Sequence, residues 1–338
     1  MSKLYENDHG FLISHQQYIN ELYKEMHPPV EISSKLFSIR NQYKVQKNNN
    51  KRTVDCIKYE ALQKEQDNIK SKFSIFIAGA KQVLNCYEFN NKDALETAKF
   101  VYNMTGKALV KNAHGANVGS ATIKSVNGSN FLFPENSIFY SKNVSDIQTH
   151  LNNETYDLIL LDPPWWNKYI RRKRKKSGDA YNMLFNNDIK NLPIEHLLKD
   201  DGMVVVWCTN SQQHMDSLLT EIFPKWGIKY IGKWYWVKIT STGKPVCSFS
   251  LPPGKQPYEQ IIFGCRGNLC TIPFNSKLVV SVPSAIHSHK PPLIELIKTF
   301  LPENPACLEI FARYLLPNWT SYGNEVLRLQ HESLFVKV

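Results

Sequence analysis

No two of the seven cysteines stand at CxxC spacing, which removes the usual zinc-site and redox-pair patterns. Several of them, such as Cys208, Cys265 and Cys307, sit in apolar, strand-like runs, where a reduced thiol packs as a small hydrophobe. No apolar run approaches the ~20 residues needed to cross a bilayer, and the start, MSKLYENDHGF, has no signal-type apolar segment. These absences lead us to expect an intracellular chain with neither a metal nor a membrane partner. Also missing are a GxGxxG after a strand and a GxxxxGK[ST], so dinucleotide and P-loop readings lose their main support. There is no internal repeat. Acidic residues are in deficit, with 30 Asp plus Glu against 41 Lys plus Arg, a net charge of +11. That surplus favours an acidic partner such as nucleic acid.

At 338 residues and 42% hydrophobic, the chain is long enough for two domains or one large domain with an extension. Residues 1–50 are polar and broken, and end in VQKNNNKR-like linker composition. Residues 54–105 have helical texture, with a capping signal at residues 91–93. From about residue 131, apolar runs alternate with amphipathic ones. Strands are expected over 157–161, 204–208, 229–239, 260–265, 278–283 and 307–312, and helices over 189–199, 214–223 and 292–301. Such alternation implies a doubly wound α/β domain with a largely parallel sheet covered on both faces. The expected division is a mixed, largely helical region over 1–130, which can extend a nucleic-acid surface, and a catalytic domain over 131–338.

One stretch stands out: ILLDPPWWNKY, residues 159–169. An apolar strand ends in Asp162, Pro163 and Pro164, and two tryptophans follow. Proline cannot continue a sheet ladder, so the pair stops the strand and stiffens the corner. Ligands of such sheets bind beyond the carboxyl ends of the strands. A rigid acid at that rim suits a planar exocyclic amine, as on adenine, whose lone pair is delocalised into the ring. Asp162 supplies an anionic acceptor, and the Pro163 carbonyl a second one, for an amine that becomes tetrahedral and positive under attack. Trp165 is expected to stack on the base. The bland alternative is a capped strand end with a core tryptophan.

DPPW after an apolar strand resembles the signature of the adenine-N6 methyltransferases related to the catalytic subunit of the messenger-RNA methylation complex. Further matches follow in order: Thr209 and Asn210 after a strand, WVKIT over 236–240, HSHKPP over 287–292, and LEIFARYLLPNWTSYGNE over 308–325. The resemblance spans about residues 131–330. It implies a Rossmann-like fold and S-adenosylmethionine as cofactor, with the catalytic motif preceding the cofactor motif. Carried over by motif, Asp162, Lys290 and Arg313 contact polar groups of the cofactor. Asn324 and Glu325 hold its ribose and neighbouring edges, and Phe311 lies against its adenine or ribose face. The chain departs from the family in two places. The family's Asp-apolar pair upstream of the signature has no clear counterpart in SKNVSD (141–146), where Asn143 and Val144 are the nearest candidates. Tyr314 stands where the family often has a small polar residue.

On the substrate side, RRKRKK over 171–176 is six consecutive cations. Arg171, Arg172, Lys173 and Arg174 are expected to neutralise phosphates flanking a target nucleotide. A solvated loop and a nuclear import signal are the alternative readings of the run, and these roles can coexist with phosphate contact. Lys168 and Tyr181, at the ends of this segment, and Tyr258 and Glu259 in KQPYE are candidate pocket residues. A target adenine inside a duplex must leave the stack, so single-stranded or looped substrates are favoured. Within the family, the resemblance implies an adenosine in a spliceosomal small nuclear RNA, with or without a 2′-O-methyl group. It leaves open a DNA adenine, or a catalytically silent RNA-binding subunit. The expected location is nuclear, with a cytoplasmic pool allowed, and the expected state a monomer or a weakly associated subunit.

Overall fold

A computed structural model describes residues 2–43, 56–84, 89–167, 183–251, 254–267 and 276–338. In chain order its strands begin with β1 (Lys3–Asn7), β2 (Gly10–Ile13), β3 (Val30–Ile32), β4 (Ala113–Asn117) and β5 (Thr122–Val126). There follow β6 (Ser129–Phe133), β7 (Ser137–Ser141), β8 (Tyr156–Leu161), β9 (Leu198–Cys208) and β10 (Lys229–Lys238). The last five are β11 (Tyr258–Cys265), β12 (Leu278–Ser281), β13 (Cys307–Ile310), β14 (Trp319–Tyr322) and β15 (Phe335–Lys337). Eleven of them form one sheet in the order β1-β2-β12-β10-β11-β9-β8-β13-β14-β7-β4. Three strands, β1, β4 and β11, run against their neighbours, and the other eight point the same way. The expected largely parallel α/β sheet is therefore present, and the carboxyl ends of its parallel strands form a common rim.

Strand β8 shows why the sheet is covered on both faces. Successive side chains of a strand point to opposite faces. Leu158 and Leu160 enter one core with Trp207, Trp236 and Phe263, while Ile159 and Leu161 enter another with Val204, Val206 and Ile262. Helix α1 (His15–Tyr23) contributes Tyr18, Ile19 and Tyr23 to the first core. Helix α2 (Cys56–Ala80) buries Ile69, Phe73, Phe76 and Ala80, a three-to-four-residue spacing, against Leu12, Tyr235, Val237, Leu278 and Val280. Full burial of one such side chain, Phe76 for example, contributes about 1.5–3 kcal/mol.

The structure corrects the expected division at residue 130. Strands β1 and β2 join the sheet through β12, and β4 pairs with β7 at the opposite edge. Residues before 130 thus supply both edges of the main sheet, and helices α2 and α3 (Asn91–Lys107) bury residues in its cores. The cap of α3 is Asn90, one residue before the expected signal: its side chain accepts from Lys92 N, and Asp93 accepts from Asn90 N. The helix expected over 189–199 is two short ones, Asn186–Lys190 and Ile194–Leu197, because Pro193 interrupts the ladder. The one expected over 214–223 spans 212–225 and contains a π-helical turn, Leu218–Ile222. Pro224 has no N–H to offer a regular turn, and Phe223 N reaches back five residues to Leu218 O.

Candidate active site

The rim at the carboxyl ends of the parallel strands gathers most of those expected site residues that lie among the described residues. Asp162 follows β8 directly, and its carboxylate is held on both oxygens. Ser288 Oγ donates to Oδ2 at 2.6 Å, and Lys290 Nζ lies 3.3 Å from Oδ1. Lys290 also donates to Glu259 Oε2 at 2.5 Å, and Lys238 bonds the other oxygen of Glu259. The result is a chain of alternating charge: Lys238, Glu259, Lys290, Asp162. Its floor is aromatic, with Lys290 Nζ 5.2 Å from the Trp207 ring centre and 5.9 Å from that of Trp236.

Burial alone would raise the Glu259 carboxyl, but Lys238 and Lys290 outweigh it and hold the group well below the usual carboxylate range. Burial alone would lower the Lys290 ammonium, yet Asp162 and Glu259 outweigh it and raise it. Lys290 is therefore a permanent cation between two acids. Replacing it by Met leaves the largely covered Asp162 carboxylate without its cation and Glu259 with Lys238 alone. We expect Lys290→Met to cost about 3–5 kcal/mol of unfolding free energy at pH 7, read by urea titration; a loss below ~1 kcal/mol would count against this network.

Two backbone positions confirm that the corner is built under constraint. Ser288 and Phe311 adopt left-handed conformations, φ +56° and +66°, which a non-glycine side chain tolerates only when its surroundings enforce it. At Ser288 the outcome is the hydroxyl aimed at Asp162. At Phe311 it is an abrupt exit from β13 that leaves the ring half-buried at the rim. The turn after β14 packs directly on the turn after β13: a Cβ added to Gly323 would stand 3.0 Å from Ala312 O, a contact tight enough that the backbone would have to give by a few tenths of an ångström.

Beyond β13 and β14 lies a second charged group. Arg313 Nε stands 3.0 Å from Glu325 Oε2, Arg328 bonds the other oxygen of Glu325, and a terminal nitrogen of Arg313 donates to the carbonyl of His287. Asn324 is exposed beside them. Tyr314, where the chain departs from the family pattern, is buried and donates its hydroxyl to Lys290 O at 3.1 Å, bracing that segment from below. The rim thus offers anionic acceptors (Asp162, Glu325), cations (Lys290, Arg313), an exposed amide and a half-buried ring. Such a set suits a ligand that carries an ammonium, a carboxylate, a diol and a flat face. Among the described residues no His, Cys, Asp and Glu group could hold a metal ion.

Other expected residues are placed differently. Trp165 is 4% exposed, donates Nε1 to Trp207 O at 2.9 Å and packs on His214. Its bridge to Leu184 turns the ring into the core, so it braces the signature and does not present a face to a base. The aromatic that reaches the surface is its neighbour, Trp166, half-buried and stacked on Phe185. The Pro163 carbonyl is not idle as expected: it accepts from Trp165 N at 2.8 Å, and Pro164 O accepts from Leu184 N at 2.9 Å. A carbonyl has two lone pairs, so Pro163 keeps one for a ligand. Tyr258 belongs to the core with Tyr235 and Phe249, and it is its carbonyl, bonded by Asn210, that faces the rim. Val144 is buried in the core beneath β7, and Asn143 caps the short turn Val144–Asp146 through Ser145 N. Lys168, Arg171, Arg172, Lys173, Arg174 and Tyr181 lie outside the described residues.

Sequence reasoning missed Ser288 and Lys238, and it placed Glu309 in the cofactor motif (308–325) without foreseeing its burial. The first two lie inside matched motifs, HSHK and WVKIT, where a polar residue beside the matched lysine or tryptophan was the available signal. Glu309 sits in β13, 5% exposed, with Oε2 unpartnered. Burial, reinforced by the charge of Asp162, pushes its carboxyl up to about 8.

A family profile, MT-A70, matches residues 156–325, the segment from β8 to the Glu325 turn. The N(6)-adenine-specific methyltransferase METTL4 of Mus musculus is 39% identical over 221 residues, 62% of this chain and 46% of that protein. The DNA N6-methyl methyltransferase of Caenorhabditis elegans is 34% identical over 220 residues, 64% of this chain and 58% of that protein. The N6-methyladenosine RNA methyltransferase MTA1 of Pyricularia oryzae is 32% identical over 248 residues, 68% of this chain and 64% of that protein. The chain thus spans about half the length of the mouse relative and about three-fifths of the other two.

Proposed function

The chain belongs to the MT-A70 family, and from that premise we propose that it transfers a methyl group from S-adenosylmethionine to the N6 amine of adenine in nucleic acid. The observation that carries this reading is Asp162, fixed on both oxygens by Ser288 and Lys290 at the sheet rim. An acceptor held this rigidly costs no reorganisation as the amine gains positive charge. The Asp162 carboxylate accepts one N–H of the amine, and the second lone pair of Pro163 O accepts the other. Together they hold the amine nitrogen toward its electrophile.

The donor set fits S-adenosylmethionine, which supplies the transferable methyl when bound. Lys290 spends two of its three N–H donors on Asp162 and Glu259, which leaves one for the methionine carboxylate. Glu325 suits a ribose diol, with Asn324 beside it, and Phe311 presents a ring to a flat face. Asp162, as the anionic acceptor at the rim, would also suit the cofactor's ammonium and so would link cofactor and base through one side chain.

RNA is the substrate we favour, an adenosine of a spliceosomal small nuclear RNA in particular, with or without a 2′-O-methyl group. The relatives include one named for RNA and one named for DNA, so DNA adenine is the second reading. Incubation with labelled S-adenosylmethionine and matched RNA and DNA oligonucleotides, followed by nucleoside analysis, decides between them. N6-methyladenosine without N6-methyldeoxyadenosine supports the first reading, the reverse supports the second, and label in neither rejects both.

The basic run at 171–176 is assigned to phosphates flanking the target. Replacing all six residues by Ser is expected to weaken oligonucleotide binding and to flatten its salt dependence. On a single strand, the slope of log K against log salt should become shallower by about 0.7 for each phosphate that is no longer neutralised. Cofactor affinity, measured in parallel, is expected to stay within about twofold; an unchanged salt slope rejects the assignment.

A further inference from the structure

The signature does more than present Asp162: its outer side forms one wall of a cleft of about 740 Å³, separate from the charged rim. Trp166 and Phe185 form an aromatic step on that wall, ring centres 5.9 Å apart and planes within 21°. Phe185 is 60% exposed and Trp166 half-buried, so the step is open at its outer edge. The rest of the cleft's lining includes the amides of Asn187, Gln212 and Gln213 and the carboxylates of Asp216 and Glu221.

The bonds that shape this cleft also hold the signature. His214, buried in the cleft wall, reaches Trp166 O with Nε2 at 2.9 Å and the Asn186 side chain with Nδ1 at 2.7 Å. Leu184 N bonds Pro164 O, and Asn167 N bonds Met183 Sδ. The cleft and the catalytic corner are therefore one rigid unit, and Trp166 is four residues from Asp162. The π-helical turn Leu218–Ile222 forms part of the lining, through Thr220 and Glu221.

We propose that this cleft binds the base of a nucleotide next to the target adenosine, stacked on the Trp166–Phe185 step and read at its edge by the lining amides and Asp216. The inference rests on the nucleic-acid reading above. A base is the occupant that the chemistry fits. Stacking on aromatics tolerates any base, whereas amides and a carboxylate recognise base edges. The carboxylates repel phosphate, so the backbone runs outside the cleft while the base enters. Asp216, already bonded to Gln212 at 2.6 Å, keeps acceptor capacity for a base N–H and favours bases with an amino edge.

The test is a coupling cycle that uses fluorescently labelled single-stranded oligonucleotides with an abasic site scanned across the positions flanking the adenosine. For the wild-type chain, one flanking abasic site is expected to weaken binding by roughly five- to a hundredfold, the range that base–aromatic stacking commands. In Phe185→Ala that same site should cost less than about twofold, and Gln213→Ala should change the preference among bases at that position alone. Phe185 lies at the surface, so its removal is expected to leave the thermal midpoint unchanged, which calorimetry checks. Equal discrimination by wild type and Phe185→Ala overturns the inference. Methyl transfer is recorded on the same oligonucleotides: full coupling without transfer leaves the base site standing and removes the enzymatic reading, whereas transfer without coupling does the opposite.

Discussion

Asp162→Asn is expected to lower the single-turnover rate of methyl transfer by at least about two to three orders of magnitude, the effect of deleting one preorganised electrostatic interaction with a developing charge. The replacement keeps the volume of the side chain and one carbonyl oxygen. It removes the negative charge and puts an N–H donor where the substrate amine already has its own. Lys290 would keep Glu259 as a partner, so the fold is expected to survive, with a thermal midpoint within a few degrees of wild type. Asp162→Ala, with neither acceptor, should be at least as slow. Rates within about threefold of wild type in both variants, at saturating cofactor and oligonucleotide, would remove Asp162 from the reaction. The reading of the corner would fall with it.

Glu309→Gln is expected to remove a large pH dependence of stability. Glu309 is buried in β13 with its carboxyl pushed up to about 8. The groups set against it are Asp162, whose charge raises it, and the hydroxyls of Tyr18 and Tyr314, which its own charge raises in turn. In the unfolded chain this carboxyl ionises near its ordinary value, 4.5. Between these two values the native state therefore holds a proton that the unfolded state has released. Native stability falls as pH rises through that window, by up to ~1.4 kcal/mol per pH unit. Below the window both states are protonated and the contribution is complete. Gln carries no such proton, so the difference in unfolding free energy, variant minus wild type, should grow from about pH 5 to pH 8 and level off above it. Glu259 acts in the opposite sense, since its depressed carboxyl contributes stability that is lost as pH falls below its unfolded value. The two windows do not overlap. Urea titrations of both proteins from about pH 5 to 9 check this, and a difference that stays constant across the range would show that Glu309 is not protonated in the folded chain.

Both predictions concern residues of one motif-rich segment, yet only one of them was legible in the sequence. Asp162 was, because its signal is local: an apolar strand, a double proline stop and an acid between them act through neighbours in the chain. Glu309 was not, because LEI reads as an alternating strand and nothing in it says that its middle residue is covered on its own face. The tryptophans divide the same way. Their presence after the stop was plain, but Trp165 turns inward because Trp207 O, 42 residues away, accepts its indole N–H. Trp166, half-buried, is the one that forms the step with Phe185. For the edges of the sheet, local pattern failed outright. KLYEN and AHGAN have too few apolar residues to be read as strands, and they become strands because β2 and β7 offer unpaired backbone to them.

By itself the chain of amino acids determined the α/β class, the parallel core of the sheet, the position of the rigid acid at its rim and the membership of the family, since each depends on short-range pattern or on residue identity at fixed spacing. Tertiary structure alone decided which lysine neutralises which acid, which indole is buried and where the amino-terminal strands go. Those outcomes depend on pairings between segments from thirty to nearly three hundred residues apart. Their energies come from burial and charge pairing, which no local stretch of sequence encodes.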